Sequence, residues 1–130
     1  MRFHGSLLLV GLVSCGPTRT RLESPKGPGL EAYESRGFDR ASAAAALGSI
    51  DVQPCKTPGV PVGTGHVIVM FGADGTAVDA GLDDGTPDGQ LNPFIETDAA
   101  PCIVERFKAA RMKPFAEGPA LPVGRSFTIR

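Results

Sequence analysis

The chain has 130 residues, with 13 Lys plus Arg against 14 Asp plus Glu and a net charge of −1. That length suits one domain of usual size, and the balanced charge favours neither nucleic acid nor an anionic membrane surface as a partner. With no Trp and one Tyr, aromatic platforms for sugars or bases are not expected, while 42% hydrophobic residues permit a packed interior.

The N-terminal stretch carries the clearest signal. Arg2 supplies a positive charge, residues 7–13 form an apolar run broken by Gly11, and Leu12-Val13-Ser14-Cys15 is followed by Gly16. The run is shorter than the roughly 20 residues that span a bilayer and fits the apolar part of a secretion signal. The Leu-Val-Ser-Cys stretch resembles the lipobox of bacterial lipoprotein signal peptides. That resemblance implies that residues 1–14 are removed and that Cys15 becomes the acylated first residue. Acyl chains bury methylenes at about 0.8 kcal/mol each, so two or three chains, palmitate among them, anchor the protein effectively permanently. The alternative is an ordinary signal peptide cut elsewhere, with the cysteine discarded. Gly16 stands where inner-membrane lipoproteins often carry Asp, which favours the outer membrane, facing the periplasm. No stretch after residue 15 has the length and apolarity to cross a membrane.

Of three cysteines, one belongs to the lipobox. Cys55 and Cys102 remain as an even pair in an exported chain, and the simplest reading is one disulfide. It would close a loop of about 48 residues and stabilise by about 4 kcal/mol on the loop-entropy view. Two free buried thiols are the alternative.

Residues 16–37 read as a flexible tether. Pro17, Pro25, Pro28, Gly27 and Gly29 are interleaved with charges and no apolar period is visible. Its roughly 20 residues would span about 25 Å r.m.s.. The folded domain then runs over residues 38–130. Asp39 is placed to cap a helix, with Phe38 stapled onto Ala43. Ala43, Ala46, Leu47 and Ile50 form its apolar stripe, and it should end near Val52 because of Pro54. Residues 65–71 are the clearest strand, with Val67, Val69 and Phe71 on one face and His66, Ile68 and Met70 on the other. Asp74-Gly75 signals a hairpin turn. The return strand over 76–82 puts Val78, Ala80 and Leu82 on one face and Ala77 and Asp79 on the other. An acidic loop over 83–92 follows. Thr97-Asp98 caps a second helix with Pro101 in its first turn and Ile103, Phe107 and Ala110 in its stripe. Arg111 and Lys113 suit its C-terminal end, and Pro114 stops it. The last strand is 121–129, with Val123, Phe127 and Ile129 alternating. The expected fold is α+β, in the order αββαβ, a three-stranded antiparallel sheet with both helices on one face.

Taken together, the helix leading to Cys55, the hairpin GHVIVMFGADGTAVDAGL, the helix opening Pro101-Cys102-Ile103, Lys113-Pro114-Phe115 and the closing Gly124-Arg125-Ser126-Phe127-Thr128-Ile129 resemble the TonB C-terminal-like domain. The likeness is to the cysteine-paired form of myxobacterial envelope and motility proteins. It implies a periplasmic protein-contact domain that adds a partner's strand to an exposed edge. The lipobox and short tether depart from TonB, which has a transmembrane helix and a long Pro-rich spacer, so motor-driven energy transduction is not implied. The final strand is the expected edge, with Val123, Arg125, Phe127 and Ile129 as contact residues.

Catalytic and metal chemistry is weakly signalled. His66 with Cys55 or Cys102 would make a Cys-His nucleophile, but spacing identifies no residue to orient the base. A zinc site from the same three residues would draw one ligand from each of three elements, without a C-x-x-C knuckle. Asp83, Asp84 and Asp88 are a weak Ca²⁺ candidate lacking the closing Glu and the alternating spacing of a calcium loop. No phosphate loop, nucleophile elbow or metalloprotease helix is present. The expected function is therefore a lipid-anchored envelope protein that contacts other envelope proteins, with no cofactor, no nucleic acid and no small-molecule substrate. A small periplasmic hydrolase or metal-dependent enzyme, or a cell-wall-binding lipoprotein, are the alternatives.

Overall fold

The computed structural model describes residues 29–86 and 88–130. Cys15, the apolar run before it and the first part of the expected tether lie outside the described residues. Helices α1 (Leu30–Ser35) and α2 (Arg40–Gly48) come first. A 3-10 turn at Gln53–Cys55 leads into β1 (Gly63–Phe71) and β2 (Ala77–Leu82). Helix α3 (Ala99–Phe107) and β3 (Leu121–Ile129) complete the chain. The strands form one antiparallel sheet in the order β2-β1-β3, and the fold is a small α+β one. Among the described residues no helix is long and apolar enough to cross a membrane.

Helix α2 begins where its cap dictates. The Asp39 carboxylate accepts from the Ser42 amide at 3.0 Å, satisfying a donor with no partner inside the helix. Replacing Asp39 with Ala is expected to lower stability by about 1 kcal/mol, read as a lower urea midpoint with an unchanged slope. The helix stops at Gly48, earlier than Pro54 would require. Ser49 Oγ turns back onto the Ala46 carbonyl, and the Asp51 carboxylate accepts from the Gln53 amide to open the 3-10 turn. That early exit swings Cys55 under α3, where it is joined to Cys102 with their Cα atoms 5.6 Å apart.

β1 follows its alternation closely. Val67, Val69 and Phe71 are buried, and Ile68 opposite them is partly exposed. β2 departs from expectation at one point. A bulge opposite Met70 and Phe71 places Ala77 across from Phe71 and leaves Val78 without a partner in the register. One extra residue reverses the side-chain phase, so Val78 is 59% exposed and Ala77 packs on the core beside Ala80 and Leu82. In α3, Asp98 makes no side-chain cap, because its own backbone is already helical at φ −62° and ψ −17° where a capping residue is extended; Thr97 Oγ1 donates to the Phe94 carbonyl at 2.7 Å. At the other end Arg111 Nη1 donates to the carbonyls of Lys108 and Ala110, as suits a cation at a helix C-terminus.

Ala43 and Leu47 of α2, Ile103 and Phe107 of α3, Val67, Val69 and Phe71 of β1 and Phe127 and Ile129 of β3 share one core. The rings of Phe94 and Phe107 flank that of Phe127, at 5.5 and 5.8 Å between centroids. Each large side chain so buried contributes about 1.5–3 kcal/mol.

The C-terminal part of the expected tether is an element after all. Helix α1 buries no residue and is held by its polar and aromatic groups. Tyr33 Oη donates to the Pro122 carbonyl at 2.7 Å, and Tyr33, Phe38 and Phe115 form a chain of edge-on rings 5.1 Å apart. Phe38 thus joins α1 to Phe115 as well as lying beside the core. Arg36 Nε donates to the Ala116 carbonyl, Nη1 donates to that of Pro119, and the guanidinium lies over Phe115. So short a helix leaves no periodic trace in sequence.

Candidate functional site

β1 is the central strand, which leaves β2 and β3 as edges. The two edges differ. β2 is six residues long, carries the bulge, and has its Ala80 amide capped by the Asp79 carboxylate at 2.9 Å. Such devices blunt an edge against pairing. β3 is nine residues long and pairs with β1 in unbroken register from Gly63↔Ile129 to Phe71↔Leu121.

The phase of β3 follows from its outer bonds. The Pro122 carbonyl accepts from Tyr33 and the Thr128 carbonyl accepts from Gln53 Nε2 at 2.7 Å. On β1, the His66 carbonyl accepts from the Asp83 amide, so even residues of β1 face β2 and odd ones face β3. The even residues of β3 therefore direct their amides and carbonyls away from the sheet. At one end Tyr33 covers this edge. At the other the Gln53 side chain forks across it, its Oε1 accepting from the Arg130 amide at 3.0 Å. Between them the amides and carbonyls of Gly124 and Ser126 and the Thr128 amide have no partner among the described residues.

Two cavities lie along this edge, between β3 and α2. One, of about 370 Å³, is lined by Tyr33, Ala43, Leu47, Val123 and neighbours. The other, of about 340 Å³, runs past Ile50, Gln53, Ser126 and Thr128. Leu47 and Arg125 belong to both, so together they make one groove with Arg125 at its midpoint. The Arg125 guanidinium lies against Gly48 of α2, where a Cβ would stand 3.3 Å from Nη2. At the α1 end, burial pushes the Tyr33 phenol above its ordinary pKa, with Arg40 opposing, so Tyr33 stays a donor to Pro122.

Of the four expected contact residues, Arg125 alone is exposed. Phe127 and Ile129 are core residues, 8% and 1% exposed, and Val123 is half-buried against the core. Odd residues of β3 spend their backbone groups on β1, so the open groups are those of Gly124 and Ser126. Alternation of side chains was legible in sequence; which alternate set carries free backbone groups depends on the neighbouring strand.

The other expected sites are dispersed. Cys55 and Cys102 are bonded to each other, so neither offers a thiol to His66. His66 stands on the opposite face of the sheet from the core. Its imidazole lies over Gly124, and its Nδ1 is 3.2 Å from the Asp83 carboxylate. That orienting partner, 17 residues away, comes from the neighbouring loop. The pair lines none of the cavities described here. Asp83 is thus engaged with His66, and Asp88 accepts from the Thr86 hydroxyl and the Gln90 amide. Asp84 stands exposed, and no cluster of His, Cys, Asp or Glu suited to a metal ion occurs among the described residues. Asn92, which sequence reading passed over, organises this loop. Its Nδ2 donates to the carbonyls of His66 and Asp83, and its Oδ1 accepts from the Phe94 amide. No family model, curated protein or solved structure matches the chain.

Proposed function

We propose that the protein is a lipid-anchored envelope protein whose small domain is a non-catalytic contact module, taking an extended segment of a partner protein onto the open edge of β3. The observation that carries this reading is the free middle of β3, where Gly124 and Ser126 present paired donors and acceptors into a groove instead of to a covering element. Each hydrogen bond made there contributes about 0.5–1.5 kcal/mol net, and the half-buried Phe38, Val123 and Ile50 line the groove where alternate side chains would fall. The likeness to the TonB C-terminal-like domain supports the same mode, and the lipobox resemblance at Cys15 supports export and anchoring in the envelope. The partner is then another envelope protein.

Photocrosslinking in living cells tests this. A benzophenone amino acid in place of Ser126 is expected to yield an adduct with a discrete envelope protein, and the same group in place of Asp79 on β2 is expected to yield none. Adducts from position 79 alone, or equal yields from both, would overturn the reading.

A further inference from the structure

We propose that the segment received by the β3 groove is acidic, with a carboxylate meeting the Arg125 guanidinium at the groove's midpoint. This rests on strand addition at β3 and adds the chemistry of the partner. Arg40, Arg125 and Arg130 line the groove from end to end, against Asp51 alone. The Asp51 carboxylate is occupied by the Gln53 amide, and Arg40 lies over the Tyr33 ring. The ion pairs among the described residues are His66–Asp83 and Lys108–Glu105, so Arg125 takes part in none of them.

Its position makes this charge useful. Arg125 lies between Gly124 and Ser126, whose backbone groups a fourth strand would bond. The residue of that strand opposite Arg125 projects its side chain onto the same face of the sheet. The guanidinium lies beside α2 at Gly48 and lines both halves of the groove. A glutamate or aspartate at that place meets a planar, two-pronged donor, and apolar residues two places away fall beside the half-buried Val123 and Ile50.

Charge separates this occupant from two others. The chain's own leading segment carries Arg19, Arg21 and Lys26 against Glu23, the same sign as the groove. A second copy pairing β3 to β3 in the register centred on Arg125 would set two guanidinium groups opposite each other, which is unfavourable.

The test uses the full chain in detergent and a fluorescein-labelled peptide of alternating valine and threonine with a central glutamate, both ends blocked. Fluorescence polarisation is expected to show the glutamate peptide binding about 3- to 10-fold more tightly than its glutamine analogue, with the gap narrowing as salt is raised. R125E should reverse the order in favour of a lysine analogue. S126P removes an outward donor while leaving the ladder to β1 intact, and it should weaken all three peptides alike. Equal binding of glutamate and glutamine peptides, still abolished by S126P, would overturn the acidic preference and leave strand addition standing. Binding indifferent to S126P, or no binding of any peptide, would overturn both. A dimer in sedimentation that S126P dissolves would overturn the proposal by naming a second copy as the occupant. If S126P fails to fold, the absence of reversal in R125E alone overturns the acidic preference.

Discussion

Replacing Gly75 with Ala should destabilise the domain by about 3 kcal/mol or more. Gly75 sits in the β1–β2 turn at φ +83°, a left-handed conformation that costs an L-residue with a side chain about 1–2 kcal/mol. The larger obstacle is across the molecule. A Cβ at this position would stand 2.0 Å from the Met112 carbonyl oxygen, closer than any real contact. The approach is fixed, because the Met112 amide donates to the Gly75 carbonyl at 2.9 Å and the Phe115 amide donates to that of Ala73. The turn is thereby stitched to the segment that leaves α3. Relieving the clash means breaking that stitch or overpacking the site, at about 1–3 kcal/mol further. Gly81→Ala is the control, since nothing stands within 4 Å of its Cβ position, and it should change stability by less than about 0.5 kcal/mol. In thermal unfolding, about 3 kcal/mol is a fall of more than roughly 10 °C for a domain of this size. Equal melting of the two variants would mean that the turn does not touch the 112–115 segment.

The second large effect is expected from Cys102→Ser. The disulfide joins residues 47 apart, and its loss returns about 4 kcal/mol of chain entropy to the unfolded state. It also leaves Cys55, 2% exposed, beside a hydroxyl in an apolar setting. The oxidised variant should melt far below the oxidised protein, and reduction of the unsubstituted protein should bring the two close together. If reduction leaves the gap intact, loss of packing and not loss of the crosslink is responsible.

Much of the fold could be read from residue order because its signals are local. The Asp39 cap, the alternation of β1, the Asp74-Gly75 turn and the bounds of β3 each depend on neighbours within a few positions. What escaped is set by distant partners. The bulge that turns Val78 outward is a property of the β1–β2 pair, and helix α1 is too short to show a period and is fastened by Tyr33 and Arg36 to residues some 80 positions away. The candidate site was legible only as a strand. Recognising that Arg125 meets Gly48, and that Gln53 and Tyr33 bracket the free stretch, requires knowing which helix lies beside that strand. The pairing of Cys55 with Cys102 was legible by counting, because the lipobox resemblance sets Cys15 aside and leaves an even pair.

The bracket has a consequence for solubility. A long, flat, uncovered strand is a template on which identical chains can stack without limit, the first step toward fibrils. With Tyr33 closing one end and the Gln53 amide imitating a neighbouring strand at the other, the stretch of β3 left uncovered among the described residues is that around Gly124 and Ser126. So short an uncovered stretch offers a growing stack little to build on.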